Sequence, residues 1–591
     1  MDTVGSGCMS CSIPGMEDAG CIFLFGYNPA DSHPIVARRI VRAKEKGCKI
    51  IVADPRHIET ARIADLYLPI KNGCNVAFLN AFANCLVNDG LYDKDFVAEH
   101  TNGFDEWWET IKNYTPESVQ DITGVEPALI HQAAEMYATA KPSAIIGWGM
   151  GVCQQKQNLK TVHTIASIAC VAGQIGKPNS GLAPVRGQNN VQGSCDMGML
   201  PNLYPGYQKV TDPAVRAKFA KAWGVPEEKL PLEEGYKLTD LGHLVDEGKV
   251  HCFYNYGEDP VQTEPDSAGM RKTLSELDLF ICQDIFMTQT TMLADVILPA
   301  TSWGEHEGVF TASDRSFQHF DAAVPPKGEC RHDWEIFADL STRMGYPMHY
   351  DNTEQIWNEC ISLCPNFVGA TYEKMAPEGG YAQWPVKSTD VNDHGTPDMF
   401  AGGKFTTKDG RANLMAHDWE APSELPDDEY PLILCTVREV GHYSCRSMTG
   451  NCKTLALLAD EPGFVRMNPA DAQARGIKNG DIVSIHSRGQ VYSRADVSDR
   501  INKGTVYMTY QWWIGKCNEL TMHKVDPVSH TPEDKFSACQ VDAIADQVWA
   551  EGEVERQYTE LKQALVDAAA PQDVEPGAAK FDDEAHVNQI V

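Results

Sequence analysis

The sequence predicts an α/β fold in which two similar units, related by an internal repeat, precede a C-terminal β-barrel. Three observations predict this fold: a strand-loop-helix-strand pattern near the N-terminus, the return of that pattern in mid-chain, and a change to short strands and turns beyond Pro422. The chain has 591 residues, which is too long for one hydrophobic core, so several domains of roughly 100–200 residues each are expected.

The first unit begins with the apolar run CIFLFG, residues 21–26, which ends in a glycine. The loop YNPADSH, a helical stretch to about Lys46 and a second apolar run ending at Asp54 follow it. The glycine fingerprint of nicotinamide-binding proteins is absent, but a doubly wound sheet holds nucleotides at the loop after its first strand and at an acid ending the second. Alternatively, Asn28 and Asp31 only cap the following helix.

The same pattern returns in VHCFYNYGEDPVQTEP, which starts at Val250, and in DLFICQDIF. Eight positions keep register to within one residue, so we interpret the two units as Rossmann-like domains that each bind a dinucleotide. Duplicated domains that keep their turns for folding alone are the alternative, but the matching residues lie where parallel strands end, and such sheets bind ligands there. The matched positions are Gly26, Asn28 and Pro29 with Gly257, Asp259 and Pro260, 231 apart, and Asp54, Ala64, Asp65, Leu68 and Pro69 with Asp284, Ala294, Asp295, Leu298 and Pro299, 230 apart.

The C-terminal third has the short strands and turns that are typical of a β-barrel, together with one short helix. Asn468 is a suitable N-cap, Pro469 suits the first helical position, and Gly476 comes just past the helix end. IVSIH and VYSRADV are typical of strands around a turn at 488–489. Upstream, the stretch ILCTVREVGHYSCRSMTGN, residues 433–451, combines many different donors and acceptors, which favours contact with a ligand over a solvated loop.

Composition excludes several classes of function. The net charge is −32, from 50 basic against 82 acidic residues, so neither nucleic acid nor an anionic membrane is expected as a partner. No apolar run reaches the ~18–20 residues of a spanning helix, and MDTVGSGCMS is not a secretory signal. The odd number of cysteines, 19, fits reduced thiols better than a disulfide framework, so a cytoplasmic protein is expected.

The segment GLAPVRGQNNVQGSCDMG, residues 181–198, holds one full cation, Arg186, and one full anion, Asp196, among glycines and amide side chains. With this segment and with FGYNPADSHP, WGMGV, GEDPVQT, QDIFMT, SWGEHEGVFTASDR, TVREVGHYSCRSMTGN and YMTYQWWIG, the chain closely resembles the catalytic alpha subunit of molybdenum- or tungsten-dependent formate dehydrogenases, in the molybdopterin oxidoreductase superfamily. The resemblance runs from about Gly5 to about Leu565.

The resemblance implies interconversion of formate and CO2 on molybdenum or tungsten held by two molybdopterin guanine dinucleotides, which agrees with the two units of the repeat. It also implies an iron–sulfur electron-transfer subunit as partner, a hydrogenase being one option, and a double-psi-like form of the barrel. The domains expected are 1–186 for the first dinucleotide, 187–420 for the second, 421–570 for the barrel that closes over the cofactor, and 571–591 for a disordered acidic tail.

Carried over residue by residue, the resemblance implies two sets of cofactor-binding side chains. Pyrophosphates need N–H groups, hydroxyls and cations, whereas guanine needs a carboxylate for its N1 and N2 donors, and both sets offer these groups. The first dinucleotide would be held by Gly26, Asn28, Asp31, Ser32, Asp54, Arg56, Gly73 and Asn75, with Met150 and Gln154 nearby. The second would be held by Gly257, Asp259, Thr263, Gln283, Asp284 and Asp333, joined by Arg438, His442, Ser444, Tyr510, Asn518 and Lys535 from the C-terminal domain.

Arg186 matches the active-site arginine of the family, whose planar fork can hold a small carboxylate. Gln188 and Asn189 would add neutral hydrogen bonds, and Gln188 is assigned to the catalytic site with Arg186. The arginine would fix formate while its C–H bond faces the metal, which is catalysis by positioning and electrostatics. A purely structural ion pair is the alternative role for Arg186.

Two elements of the family pattern are absent from the sequence. Such enzymes normally open with a cysteine-rich [4Fe–4S] domain and then present a cysteine or selenocysteine metal ligand followed by histidine, shortly before the segment matched by TVGSGCMS. Cys8, Cys11 and Cys21 lack the four-cysteine spacing of a cluster site, so no metal ligand is assigned to this chain. We hypothesise that a selenocysteine codon just upstream of Met1 was read as a stop, and we expect the chain without this N-terminal portion to be incomplete and inactive.

Two further functions are compatible with the sequence. A non-catalytic scaffold could keep the fold and the pterins while lacking the chemistry, and metal analysis separates it from an enzyme. A related oxidoreductase acting on nitrate or another small oxoanion is disfavoured by the match at VREVGHYSCRSMTGN.

Overall fold

The computed structural model describes residues 1–569, which form a mixed α/β fold with a closed C-terminal β-barrel, as predicted. The strands of the first unit are β1 Cys21–Phe25, β2 Lys49–Ala53, β3 Leu66–Leu68, β4 Thr101–Asn102, β5 Ala144–Trp148 and β6 Gly181–Pro184. Its helices are α1 Pro29–Ser32, α2 Pro34–Glu45, α3 Asn75–Asn88, α4 Lys94–His100, α5 Phe104–Ile111, α6 Gln120–Thr123, α7 Pro127–Ala138, α8 Met150–Cys153 and α9 Asn158–Val171. Five parallel strands form one sheet in the order β3-β2-β1-β5-β6. Every residue of β1 is buried, because hydrophobic clusters cover both faces of this sheet.

The second unit contains a smaller parallel sheet and a separate antiparallel one. Its strands are β7 Leu203–Tyr204, β8 Gln208–Lys209, β9 Cys252–Tyr256, β10 Leu279–Asp284, β11 Val296–Pro299, β12 Gly308–Thr311, β13 Ser316–Phe320 and β14 Ala382–Gln383, with β15 Ala412–Asn413 after them. Its helices are α10 Val191–Asp196, α11 Pro213–Trp223, α12 Leu241–Asp246, α13 Pro260–Thr263, α14 Ser267–Ser275, α15 Asp333–Arg343, α16 Thr353–Leu363 and α17 Tyr372–Met375. The parallel sheet has the order β11-β10-β9, and β12, β13 and β14 form the antiparallel one.

The internal repeat is visible element by element. The succession β1, α1, α2, β2, β3 corresponds to β9, α13, α14, β10, β11, and the three corresponding strands have the same order in both sheets. The repeated acids Asp65 and Asp295 play the same local part, because each carboxylate accepts a 2.8 Å hydrogen bond from a backbone N–H, of Ile50 and of Phe280 respectively. These two carboxylates therefore stabilise the strand pairing and do not mark a ligand site.

The C-terminal domain is a six-stranded closed barrel with a short capped helix. Its strands are β16 Leu432–Val437, β17 Phe464–Met467, β18 Ile482–His486, β19 Gln490–Val497, β20 Thr505–Thr509 and β21 Ser537–Ala543, and its helices are α18 Lys453–Leu458, α19 Pro469–Ala474 and α20 Gln547–Ala569. The barrel order is β16-β20-β17-β19-β18-β21. Helix α19 begins as predicted, with the Asn468 side chain accepting from the N–H of Ala470 at 3.0 Å and Pro469 in the first turn.

One segment packs against a different unit from the one to which the expected domain boundaries assign it. Residues 399–414, which the sequence assigns to the second unit, contribute Met399, Phe400, Phe405 and Leu414 to the core of the first unit. Strand β15 also pairs with β4 of that unit. Within residues 1–569 no helix is long and apolar enough to cross a membrane. The predicted disordered tail, 571–591, lies outside the described residues.

Candidate active site

A large cleft opens where the first sheet meets the barrel. It encloses about 1310 Å³, its open mouth included, and lies at the C-terminal ends of β1, β2 and β5. The barrel side is supplied by the ends of β16 and β20, two parallel strands that finish together at Val437 and Thr509. All ten residues predicted for the first dinucleotide line this cleft: Gly26, Asn28, Asp31, Ser32, Asp54, Arg56, Gly73, Asn75, Met150 and Gln154.

The barrel residues differ in position from the sequence-based expectation. Arg438, His442, Ser444, Tyr510 and Lys535 were assigned to the second dinucleotide, yet they line the cleft of the first unit. They do so because they follow β16, follow β20 or precede β21, and these strand ends all face the first sheet.

Two glycines let the walls of the cleft approach each other. Gly26 has a φ of +54°, and a Cβ there would lie 3.1 Å from the carbonyl carbon of Gly151. Gly73 has a φ of +79°, and a Cβ there would meet a Pro422 side-chain carbon at 2.5 Å. A side chain at either position would therefore collide with backbone or with a rigid ring.

The sequence left open whether Asn28 only caps a helix, and its contacts in the structure show that it does not. Its side chain makes no capping hydrogen bond to α1, and its Nδ2 instead donates to Asp31 Oδ2 at 2.5 Å. Its Oδ1 is buried and has no hydrogen-bond donor among the described residues. Because buried acceptors are almost always satisfied, this oxygen fits a donor group supplied by a ligand in the cleft.

Opposite charges are distributed along the cleft. The Asp54 carboxylate is buried and accepts from the N–H of Arg56 at 2.9 Å, and burial raises its pKa. The Lys535 ammonium donates to the carbonyl and hydroxyl oxygens of Thr436, and burial lowers its pKa. The Arg438 guanidinium lies 5.4 Å from the ring centre of Tyr510. This donor set suits a ligand with anionic phosphates and a purine that donates to a carboxylate.

Several cleft residues escaped the sequence analysis. Tyr507 and Gln511 lie in the motif YMTYQWWIG, from which only Tyr510 was predicted, and His33 lies in the recognised motif FGYNPADSHP. Their position in these matched motifs is the sequence signal that could have identified these three residues. Tyr27 lies in the same motif as His33, and Thr436 and Glu439 lie in the stretch 433–451 that was predicted to contact a ligand. Asn72 and Gln155 are among the lining residues that no motif indicated.

The predicted residues of the second unit gather at the equivalent strand ends but outside this cleft. Asp259 is buried and its Oδ1 accepts from the hydroxyl of Thr290 at 2.6 Å, while burial raises its pKa. Asp284 accepts from the N–H of Ile285 at 2.6 Å, and burial raises its pKa to about 6. Gly257 has a φ of +62° with open space around it.

Two further pairs complete this second group. Gln283 donates to Asp333 Oδ1 at 2.7 Å, and burial raises the pKa of that aspartate. Asn518 is buried and donates to the carbonyl of Thr263 at 2.7 Å, so it joins the barrel to the second unit. All six predicted residues of the second unit therefore lie near one another, and each of the five that has a side chain already makes at least one side-chain hydrogen bond within the protein.

Arg186 lies at the end of β6 and is held on three sides. His33 Nε2 donates to its carbonyl at 2.5 Å, its own N–H donates to Ser313 Oγ at 3.1 Å, and its Nε donates to Gln192 Oε1 at 3.2 Å. Among residues 1–569 no carboxylate forms a salt bridge with Arg186, whose side chain bonds to an amide oxygen, and this weakens the structural ion-pair alternative. Burial opposes its charge, yet nearby groups, Cys195 first among them, hold its pKa above the usual value.

Gln188 connects the arginine segment to the polar stretch 433–451. Its Nε2 donates to Ser444 Oγ at 2.9 Å, and the N–H of Asn189 donates to the Tyr443 hydroxyl at 3.3 Å. His442 is buried between Thr449 and the carbonyl of Ala459, and burial lowers its pKa. The two catalytic predictions thus lie beside the cleft wall and are braced by the C-terminal domain.

A repeated α/β unit, with a barrel that meets the strand ends of the first copy at a cleft of cations, acids and amides, is typical of proteins that bind a large anionic ligand. Residues 1–343 match the family described as Molybdopterin oxidoreductase, and 432–538 match the Molydopterin dinucleotide binding domain. The chain belongs to the molybdopterin oxidoreductases and, within them, to the family of formate dehydrogenase alpha subunits.

Individual proteins agree with this assignment. The chain is 55% identical to formate dehydrogenase H of Escherichia coli over 568 residues, which cover 96% of this chain and 79% of that protein. It is 40% identical to F420-dependent formate dehydrogenase 1 subunit alpha of Methanococcus maripaludis over 543 residues, 91% of this chain and 79% of that protein. The structure of acetylene hydratase from Pelobacter acetylenicus has the same fold, with a TM-score of 0.72 at 20% identity over 91% of this chain and 80% of that one.

Proposed function

We propose that this chain interconverts formate and CO2, with molybdenum or tungsten held by two molybdopterin guanine dinucleotides. Formate oxidation releases CO2, one proton and two electrons, and the bound metal centre would supply the electron acceptor. The observation that carries the proposal is Arg186, whose two terminal nitrogens have no protein acceptor within residues 1–569 while its Nε is anchored. A planar cation with a free fork suits one small carboxylate.

The residues of the cleft fit the cofactor. The unsatisfied Asn28 Oδ1, the Asp54 carboxylate and the Lys535 ammonium would hold one dinucleotide, and the predicted residues of the second unit would hold the other after local rearrangement. Arg186 would bind and orient formate, and Gln188 would keep the C-terminal wall closed against water through Ser444.

The finer architecture and cellular context belong to the same proposal. We take both α/β units as Rossmann-like, the barrel as double-psi-like, and the domains as 1–186, 187–420 and 421–570, with 399–414 packed on the first unit. A [4Fe–4S] cluster and an iron–sulfur partner subunit would carry electrons away. All 19 cysteines are free thiols, which suits a reducing cytoplasm.

The test is dye reduction by the native holoenzyme that contains this chain, purified with its metal cofactor, because the chain alone is expected to be inactive. Formate-dependent reduction of a viologen dye is expected, with the metal present in about one equivalent. Metal without formate turnover would overturn the proposal, and turnover of nitrate instead would favour the other-oxoanion alternative. Absence of both metal and turnover would favour the scaffold.

A further inference from the structure

The side chain that anchors Arg186 belongs to a buried polar network outside the predicted site. Gln192 and Asp196 lie on one face of α10, four residues apart, and are 1% and 0% exposed. The Gln192 Nε2 donates to Asp196 Oδ1 and to the Tyr207 hydroxyl, each at 2.8 Å. The second oxygen of Asp196 accepts from Trp384 Nε1 at 2.9 Å.

The network leaves the Gln192 amide only one orientation. The Nε of Arg186 can only donate and an ionised Asp196 can only accept, so the amide oxygen must face the arginine and the amide nitrogen must face the aspartate. A flipped amide would lose both contacts. Tyr207 holds its place in this network with a φ of +62°, a conformation that costs free energy for a bulky residue and is found mainly where the surroundings enforce it.

We propose that Gln192 is a positioning residue for the anion-binding fork of Arg186. By holding Nε, the amide oxygen fixes the guanidinium plane while leaving both terminal nitrogens for the two oxygens of a carboxylate. Asp196 and Tyr207 act one step further away, by fixing the amide. This inference rests on the proposed function for the identity of the substrate, but its geometric content concerns the affinity of Arg186 for any small planar monoanion.

The alternative is that Gln192 only fills a buried polar site in the core. A structural role predicts loss of stability without a specific loss of anion affinity. A matched control is available in Gln174, which is 2% exposed, accepts from the N–H of Ala144 at 3.0 Å and donates to the carbonyl of Ala138 at 3.0 Å. It lies in the core of the first unit, away from Arg186.

The test compares Gln192→Met and Gln174→Met in the cofactor-loaded enzyme. Both changes keep the side-chain length and remove the amide from a buried site. The measurements are kcat and KM for formate, metal content, thermal stability, and the affinity of the oxidised enzyme for nitrate by titration calorimetry. Nitrate serves as a planar monoanion without a C–H bond, so its binding is measured without turnover.

For Gln192→Met we expect KM for formate and Kd for nitrate to rise together by about tenfold, with kcat changed less than KM and full metal content, because an unanchored guanidinium must be ordered by the ligand. Asp196→Asn, which keeps the shape but can turn its donor toward Gln192, should give a smaller rise of about threefold. Gln174→Met should change neither constant.

Unchanged constants in Gln192→Met at full metal content would overturn the inference, as would equal rises in both glutamine variants. A parent enzyme that binds nitrate but does not oxidise formate would overturn the proposed function alone, and the comparison of nitrate affinities would still decide the role of Gln192.

Discussion

At the scale of single residues, the Arg186 guanidinium bonds to the protein through Nε, and its two terminal nitrogens have no acceptor among residues 1–569. Its Nε donates to Gln192 at 3.2 Å, so the fork is oriented before a substrate arrives. A lysine offers one point charge and cannot make the anchoring and the two-pronged contact together. We expect Arg186→Lys to lower kcat/KM for formate by about a hundredfold, measured by steady-state dye reduction at full metal content. A loss smaller than about threefold would contradict a two-pronged role.

Asp196 gives a second residue-scale prediction, in the pH dependence of stability. Burial raises its pKa to about 6 in the folded protein, against about 3.9 when unfolded. Because the folded pKa is the higher one, stability from this group is present below pH 4 and is lost as the pH rises through 6.

The Asp196→Asn variant should therefore gain stability relative to the parent by roughly 3 kcal/mol between pH 4 and pH 8, the equivalent of about two pKa units. Thermal unfolding of both proteins across this range measures the difference. A stability difference that does not vary with pH would show that Asp196 titrates normally.

The role of a residue could be predicted from the sequence only where the residue belonged to a motif of known function. Arg186 was identified because its segment matched a family. Gln192 in the same segment was not, since its partners Cys8 and Tyr207 lie outside that segment. Asn28 stayed ambiguous for a similar reason: only the structure shows that its side chain does not cap the helix.

At the scale of elements, the two copies of the repeat make a matched pair of glycines. Gly26 and Gly257 both follow the first strand of their unit with positive φ, at +54° and +62°. A Cβ on Gly26 would press on the backbone of Gly151, whereas a Cβ on Gly257 would enter open space.

Gly257→Ala should therefore cost only the strain of a left-handed alanine, about 1–2 kcal/mol. Gly26→Ala should cost more and should also lower cofactor content, because the added methyl pushes apart the ends of β1 and β5 at the cleft. Thermal unfolding and metal analysis of both variants test this. Equal losses of stability would mean that the crowding at Gly26 relaxes freely.

Elements encoded by local patterns were predicted well, and those made by distant contacts were not. Helix α19 was predicted from Asn468, Pro469 and Gly476, whose capping and turn preferences act within a few residues. The packing of 399–414 against the first unit was not predicted, because β15 finds its partner β4 some 310 residues earlier.

At the scale of the whole molecule, the cleft exists only because the barrel docks on the first unit. Gln154 donates to Asp534 at 2.5 Å, and Arg500 of the barrel donates to Glu59 at 2.7 Å. Lys535, the residue after Asp534, lines the cleft. A ligand bound here would connect the two domains, so its binding should add to the stability of the complete fold.

Lys535→Met should affect the stability of the cofactor-free protein and that of the cofactor-loaded protein differently. Without cofactor, the buried ammonium is a cost, since burial lowers its pKa, and methionine should leave Tm unchanged or raise it. With cofactor, the ammonium would pair with an anionic group, so the variant should lose cofactor faster and its Tm should fall below that of the loaded parent. Thermal unfolding of parent and variant, each with and without cofactor, gives the four values required. A variant destabilised equally in both states would show that Lys535 serves only the docking of the barrel, because a cation reserved for the ligand can affect only the loaded form.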